Sequence, residues 1–137
     1  MKISISYLEK PASHDEVKIS ALFQRASNAL AGGDFELFLS LYSDDSAVTM
    51  RINGSDVILN KSEFVRFLSK EASSIRNIAY KDARIRIYGP AGDKAELFCL
   101  CSIIKSGHPG PSLFYRRFAF VKQNEEWKIA GLDFVDF

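Results

Sequence analysis

The sequence predicts an α+β domain: a conical, curved antiparallel sheet wrapped around a long N-terminal helix, with an interior pocket. Three observations predict it. Apolar residues recur at helical spacing in residues 13–73, interrupted by one short hairpin. Strand-like alternation then occupies most of residues 78–134. A helix group followed by long strands sets the helices on one face of the sheet. A twisted sheet around a helix leaves a concave space, and helices that do not fill it leave a pocket.

The elements follow in order. Residues 13–137 read as a single domain and residues 1–12 as an N-terminal arm. In the arm, Ile3, Ile5 and Tyr7 alternate like a short strand that Pro11 ends. The arm is expected to lie on the body or on a partner subunit. Ser13 and Glu16 make a capping box, and Asp15 adds favourable charge to the first turn. Ile19, Leu22, Phe23, Ala26, Ala29 and Leu30 then form a helical stripe, stopped by Gly32 and Gly33. Asp34 caps a second helix with Phe35, Phe38, Leu39 and Tyr42 on one face, and residues 43–46 (SDDS) close it. Residues 47–52 read as a strand, Asn53-Gly54 as a hairpin turn, and residues 56–59 as the return. Asn60 with Glu63 repeats the capping box, and Phe64, Phe67 and Leu68 carry a third helix to about residue 73. Residues 78–88 and 95–104 are long strand candidates, separated by a GPAGD turn.

Residues 114–134 form the hairpin around which the rest is arranged. With the turn on Asn124 and Glu125, strict alternation sets Phe120 opposite Ile129, Phe118 opposite Gly131 and Arg116 opposite Asp133. Phe114, Phe118, Phe120, Trp127 and Ile129 then share one face with Arg116 and Asp133. The other face carries Tyr115, Ala119, Val121, Ala130, Leu132 and Phe134, a large apolar area for contact with water. A homodimer through that outer sheet face, with Arg117 at the rim, is the expected assembly.

Composition narrows the function classes. A formal net charge of +1 shows no basic excess of the kind a nucleic-acid binder carries. No stretch is long and apolar enough for a membrane span, and residues 1–10 are too polar for a signal peptide. Cys99 and Cys101 are two apart on one strand, poorly placed to bond each other. Neither His14 nor His108 is near them in sequence, so neither a metal nor another cofactor is expected, and reduced thiols point to the cytoplasm.

The run ALAGGDFELFLSLYSDDSAVTM, residues 29–50, resembles the helix–helix–strand opening of the nuclear-transport-factor-2-like (SnoaL-like, cystatin-like cone) superfamily. KQNEEWKIAGLDF, residues 122–134, resembles its closing strand, and the element order matches over residues 13–137. The resemblance implies a conical barrel with an interior cavity, often a homodimer. It leaves function open among isomerases, dehydratases, epoxide hydrolases, polyketide cyclases, small-ligand binders and association domains. Set against the epoxide hydrolases, Arg116 and Asp133 match an arginine and one carboxylate, but Phe118 stands where the water-activating Asp would be. Set against the steroid isomerases, Tyr42 and Asp133 are the nominees. Set against the dehydratases, His108 falls in a Gly/Pro-rich loop rather than on a strand.

The candidate site is therefore Arg116 with Asp133 for any catalysis, and Tyr42, Phe114, Arg116, Phe118, Trp127 and Asp133 for ligand contact. Arg116 beside Asp133 would keep that carboxylate ionised, an acceptor rather than an acid. Arg51 and Asp56 flank the Asn-Gly turn and read as an exposed surface pair. One convergent charged pair is less than acid–base enzymes usually assemble. The leading reading is a small-molecule binding domain that holds an apolar ligand with a polar or anionic end. An acid–base enzyme of isomerase, dehydratase or cyclase type is the alternative, and an association domain without ligand the second.

Overall fold

Helix starts fall where the sequence places caps. Ser13 accepts from the Glu16 amide at 3.1 Å while Glu16 accepts from the Ser13 amide at 2.8 Å, opening α1 (His14–Ala31). Asp34 caps α2 (Phe35–Ser40) through the Leu37 amide. Asn60 and Glu63 form the second capping box and open α3 (Lys61–Glu71). Each cap satisfies amides that a helix start leaves without internal partners.

The structure is a computed structural model that describes residues 1–135. Its strands are β1 (Lys2–Tyr7), β2 (Tyr42–Ile52), β3 (Ser55–Leu59), β4 (Ile75–Tyr88), β5 (Lys94–Lys105), β6 (Ser112–Gln123) and β7 (Glu126–Val135). They make one curved sheet in the order β1-β4-β5-β6-β7-β2-β3. The β4 to β7 run is antiparallel throughout, while β1 joins β4 and β2 joins β7 in parallel. The N-terminal arm thus lies on the body, as an edge strand. Helix α1 packs into the concave face with Ile19, Phe23, Ala26 and Leu30 buried. This is the predicted α+β cone.

Two elements differ from the sequence reading. Tyr42 and residues 43–46 belong to β2, not to the second helix, which ends at Ser40. The Leu41 carbonyl accepts from the Ile129 amide at 3.0 Å, so the sheet captures the chain as soon as the helix ends.

The closing hairpin also departs from strict alternation. Its turn lies on Asn124 and Glu125, both at positive φ, and Phe120 does face Ile129. Ala119 then pairs with Gly131, which leaves Ala130 as an extra residue. Beyond this bulge Phe118 faces Leu132, Arg116 faces Phe134, and Arg117 faces Asp133. The cause is non-local. Strand β2 crosses the same point, with six residues from Tyr42 to Ala47 spanning the three from Ile129 to Gly131. A Cβ on Gly131 would sit 2.8 Å from the Ala47 carbonyl oxygen. Only glycine lets the two backbones approach that closely.

A one-residue shift moves every later side chain to the opposite face. Leu132 and Phe134, expected outside, face the interior, and Asp133, expected inside, faces out. The outer apolar face expected for a dimer loses Leu132 and Phe134 and keeps Tyr115, Ala119 and Val121 on β6.

Candidate functional site

Strand β6 supplies the centre of the site. Its inward residues are Phe114, Arg116, Phe118 and Phe120, as alternation requires. Phe120 and Phe118 are buried in the core. Phe118 meets Phe23 edge-on at 4.8 Å, and Tyr80 closes against both rings at 5.0 and 5.6 Å. A second aromatic group, Phe38, Tyr42 and Phe64, joins α2, β2 and α3. These clusters border a cavity of about 500 Å³. That volume falls within the range of small-molecule sites. Its wall includes Tyr42, Tyr80, Cys101, Phe114, Arg116 and Phe134.

Arg116 is the one charged side chain buried within this wall among the described residues, at 8% exposure. Its guanidinium lies 4.9 Å from the centre of the Phe114 ring and 5.1 Å from that of Phe134. Nη2 is 3.7 Å from Met50 Sδ, a weak acceptor. Nε is sealed from solvent without a hydrogen-bond partner, and no carboxylate pairs with Arg116 among the described residues. The other charges sit at the rim and are paired there. Arg51 lies 3.0 Å from Asp56, and Lys105 lies 3.6 Å from Glu71. The exposed Arg51–Asp56 pair is as the sequence suggested.

Burial raises the pKa of the phenols and thiols inside. It pushes the Tyr42 hydroxyl far above the ordinary phenol range, against a downward pull from Arg116. Tyr80 is shifted in the same direction, by burial first and by Cys101 next. Burial lifts the Cys101 thiol to about 11 and the Cys99 thiol to about 12, with Arg116 opposing both. At neutral pH these groups are uncharged.

The expected site residues divide. Tyr42, Phe114, Arg116 and Phe118 are brought together on the cavity wall. Asp133 is not among them. The bulge turns it outward, where Arg117 donates to it through Nε at 3.1 Å and through Nη2. The expected Arg116–Asp133 pair is replaced by Arg117–Asp133, so Asp133 is not placed to act on a molecule in the cone. Trp127 is buried behind the wall, its indole N–H donating to Asp15 at 3.1 Å. That bond is the first cause of Asp15's depressed pKa. His108 is exposed in its loop.

Sequence reasoning missed Tyr80, Cys101, Met50 and Phe134 as wall residues. The inward set Ile78 and Tyr80 on β4 follows strand alternation and was available as a signal. Which face of β5 turns inward was not, since both of its faces are largely apolar. The structure turns Leu97, Cys99 and Cys101 toward the core and leaves Phe98 and Leu100 on the other side.

A SnoaL-like domain model matches residues 19–132. The chain belongs to the SnoaL-like domain family. A search of curated proteins found no match. Solved structures share the fold at low identity. An NTF2-like protein of unknown function from Pseudomonas putida is 14% identical, with a TM-score of 0.71 over 91% of this chain and 88% of its own. A candidate ketosteroid isomerase from Shewanella frigidimarina is 14% identical, with a TM-score of 0.68 over 96% and 98%. A candidate polyketide cyclase from Xanthomonas campestris is 16% identical, with a TM-score of 0.58 over 88% and 91%. Such likeness establishes the SnoaL-like cone and leaves the chemistry to the residues inside it. No helix among the described residues is long and apolar enough to cross a membrane.

Proposed function

We propose that this SnoaL-like domain binds a small molecule with an apolar body and a hydrogen-bond-accepting end, held in the cone with that end at Arg116. One observation carries the reading. An arginine is buried in the wall of a 500 Å³ aromatic cavity without a carboxylate partner among the described residues. A buried guanidinium without a counter-charge is costly, and proteins rarely keep one unless something else meets it. The surrounding rings supply the apolar contact that fixes a ligand's body.

Acid–base catalysis has less support. A general base should titrate near the operating pH. Inside the cone the phenols and thiols all shift upward, away from neutrality. Glu71 is at the rim beside Lys105.

The binding reading is tested with 1-anilinonaphthalene-8-sulfonate, an apolar fluorophore with an anionic end. Saturable binding of one molecule per chain is expected. Ile103→Trp, which adds bulk to the cavity wall, should abolish it while the far-ultraviolet circular dichroism stays unchanged. Equal binding by the folded variant would place the ligand elsewhere.

We also propose that two copies associate through the outer sheet face. Exposed Tyr115 on β6 and the neighbouring Phe98 and Leu100 on β5 keep that face apolar after the inward turn of Leu132 and Phe134. Light scattering at micromolar concentration should give twice the 15.4 kDa chain mass. A monomer would exclude the dimer.

A further inference from the structure

Resting on the binding reading, we propose that the cavity takes its ligand as an anion: a weak acid, such as a phenol or an enol, is bound with loss of its proton to solvent. The O–H bond breaks, the electron pair stays on the ligand oxygen, and the resulting charge rests against Arg116.

The argument is an inventory of what the interior offers. Arg116 brings a positive charge that no protein group neutralises among the described residues. Tyr42 from β2, Tyr80 from β4 and Cys101 from β5 also line the wall. Each carries a proton it can donate, and burial keeps it there. Ser27 of α1 already donates to the Phe23 carbonyl at 2.9 Å. Met50 of β2 and Phe134 of β7 touch the guanidinium and are uncharged, and the Phe134 ring also carries the guanidinium of Arg51 at 4.3 Å from its centre. At the rim the charges cancel in pairs, Arg51 against Asp56 and Lys105 against Glu71. The interior is therefore one buried cation with neutral phenols and thiols around it, and no buried negative group in the cavity wall among the described residues.

Such a set discriminates between two forms of one ligand. A neutral hydroxyl can donate to a phenol oxygen, but it leaves the guanidinium uncompensated. The conjugate base accepts from several donors at once and neutralises a charge that is already desolvated. A nearby cation lowers the pKa of an acid, and a site dry enough to raise its own phenols strengthens that coupling. Desolvation of the ligand's anion works the other way. Arg116 outweighs it here because the arginine's own desolvation has already occurred in the folded protein.

The test uses the full chain and two probes of one shape: a hexyl-substituted 4-nitrophenol and its methyl ether. The nitrophenolate absorbs in the visible and the neutral forms do not. Bound to the protein, the phenol should titrate at least about one pH unit below the free probe, a tenfold preference for the anion. The ether should bind at least about tenfold more weakly than the phenol. Binding calorimetry in buffers of different ionisation enthalpy should register proton release. In Arg116→Met the titration should return to, or rise above, that of the free probe, and phenol and ether should bind alike. Arg116→Lys, which keeps the charge, should retain part of the shift.

If phenol and ether bind wild type equally with no shift, anion selection is wrong while ligand binding stands. If the Arg116→Met protein keeps the shift, Arg116 is not its source and the inference falls. If neither probe binds wild type, the inference falls together with the reading on which it rests.

Discussion

Arg116→Met perturbs the centre of the cavity, and its effect on stability can be worked from the structure. The side chain is 8% exposed, with Nε sealed and without a hydrogen-bond partner among the described residues. Burial of an ion costs several kcal/mol after relaxation, and a paired carboxylate is the usual offset. Here the offsets are two aromatic faces, at 4.9 and 5.1 Å, and a weak contact to Met50. Cation–π contacts of this kind are worth about 0.5–2 kcal/mol each. Methionine keeps most of the aliphatic volume, fits irregular space and carries no charge to desolvate. The balance predicts that ligand-free Arg116→Met is more stable than wild type by about 1–3 kcal/mol. For a chain of this size that raises Tm by about 3–10 °C. The assay is urea unfolding of both proteins after refolding from denaturant to strip any carried ligand. A higher midpoint with an unchanged m-value is expected. The same variant should lose binding of the anilinonaphthalene probe, since a group kept for function is often one that costs stability. A destabilisation of about 2 kcal/mol or more would refute the reasoning, because it would mean the guanidinium is well satisfied in the folded chain.

Two further outcomes follow from the outer side of the cone. Asp133→Asn should leave probe binding unchanged and alter stability by about 1 kcal/mol or less, since it breaks only a partly exposed pair with Arg117; weakened binding would return Asp133 to the site. Asp15 is held below the usual carboxylate range chiefly by the Trp127 indole. Its folded pKa is depressed, so its contribution is present above the unfolded value near about 4 and is lost as pH falls through the folded one. Asp15→Asn should therefore flatten the loss of stability on acidification below about pH 4, as followed by Trp127 fluorescence; an unchanged acid slope would show that the indole bond does not set that pKa.

Local chemistry determined much of this protein from its sequence. Both capping boxes, the Asp34 cap, the Asn53-Gly54 turn and the Asn124-Glu125 turn are set by residues within four positions of one another. Side-chain hydrogen bonds and backbone preferences act at that range, so the sequence displays them. The long strands and the inward face of β6 were legible for the same reason, because alternation is a property of one strand alone. Arg116, Phe114 and Phe118 were found on the wall through it. What only the tertiary structure decided is the parity of β7 beyond Ala130. The segment Ile129-Ala130-Gly131-Leu132-Asp133 can continue with either Leu132 or Asp133 inward. The choice is made by β2, about 85 positions earlier in the chain, whose Ala47 carbonyl presses on Gly131 and puts an extra residue into the hairpin. That single contact moves Asp133 to the surface, brings Phe134 under Arg116 and leaves the arginine without its expected partner. The pairing of a parallel strand from a distant part of the chain leaves no periodic trace, and its one sign in the sequence is a glycine where a strand would otherwise carry a side chain.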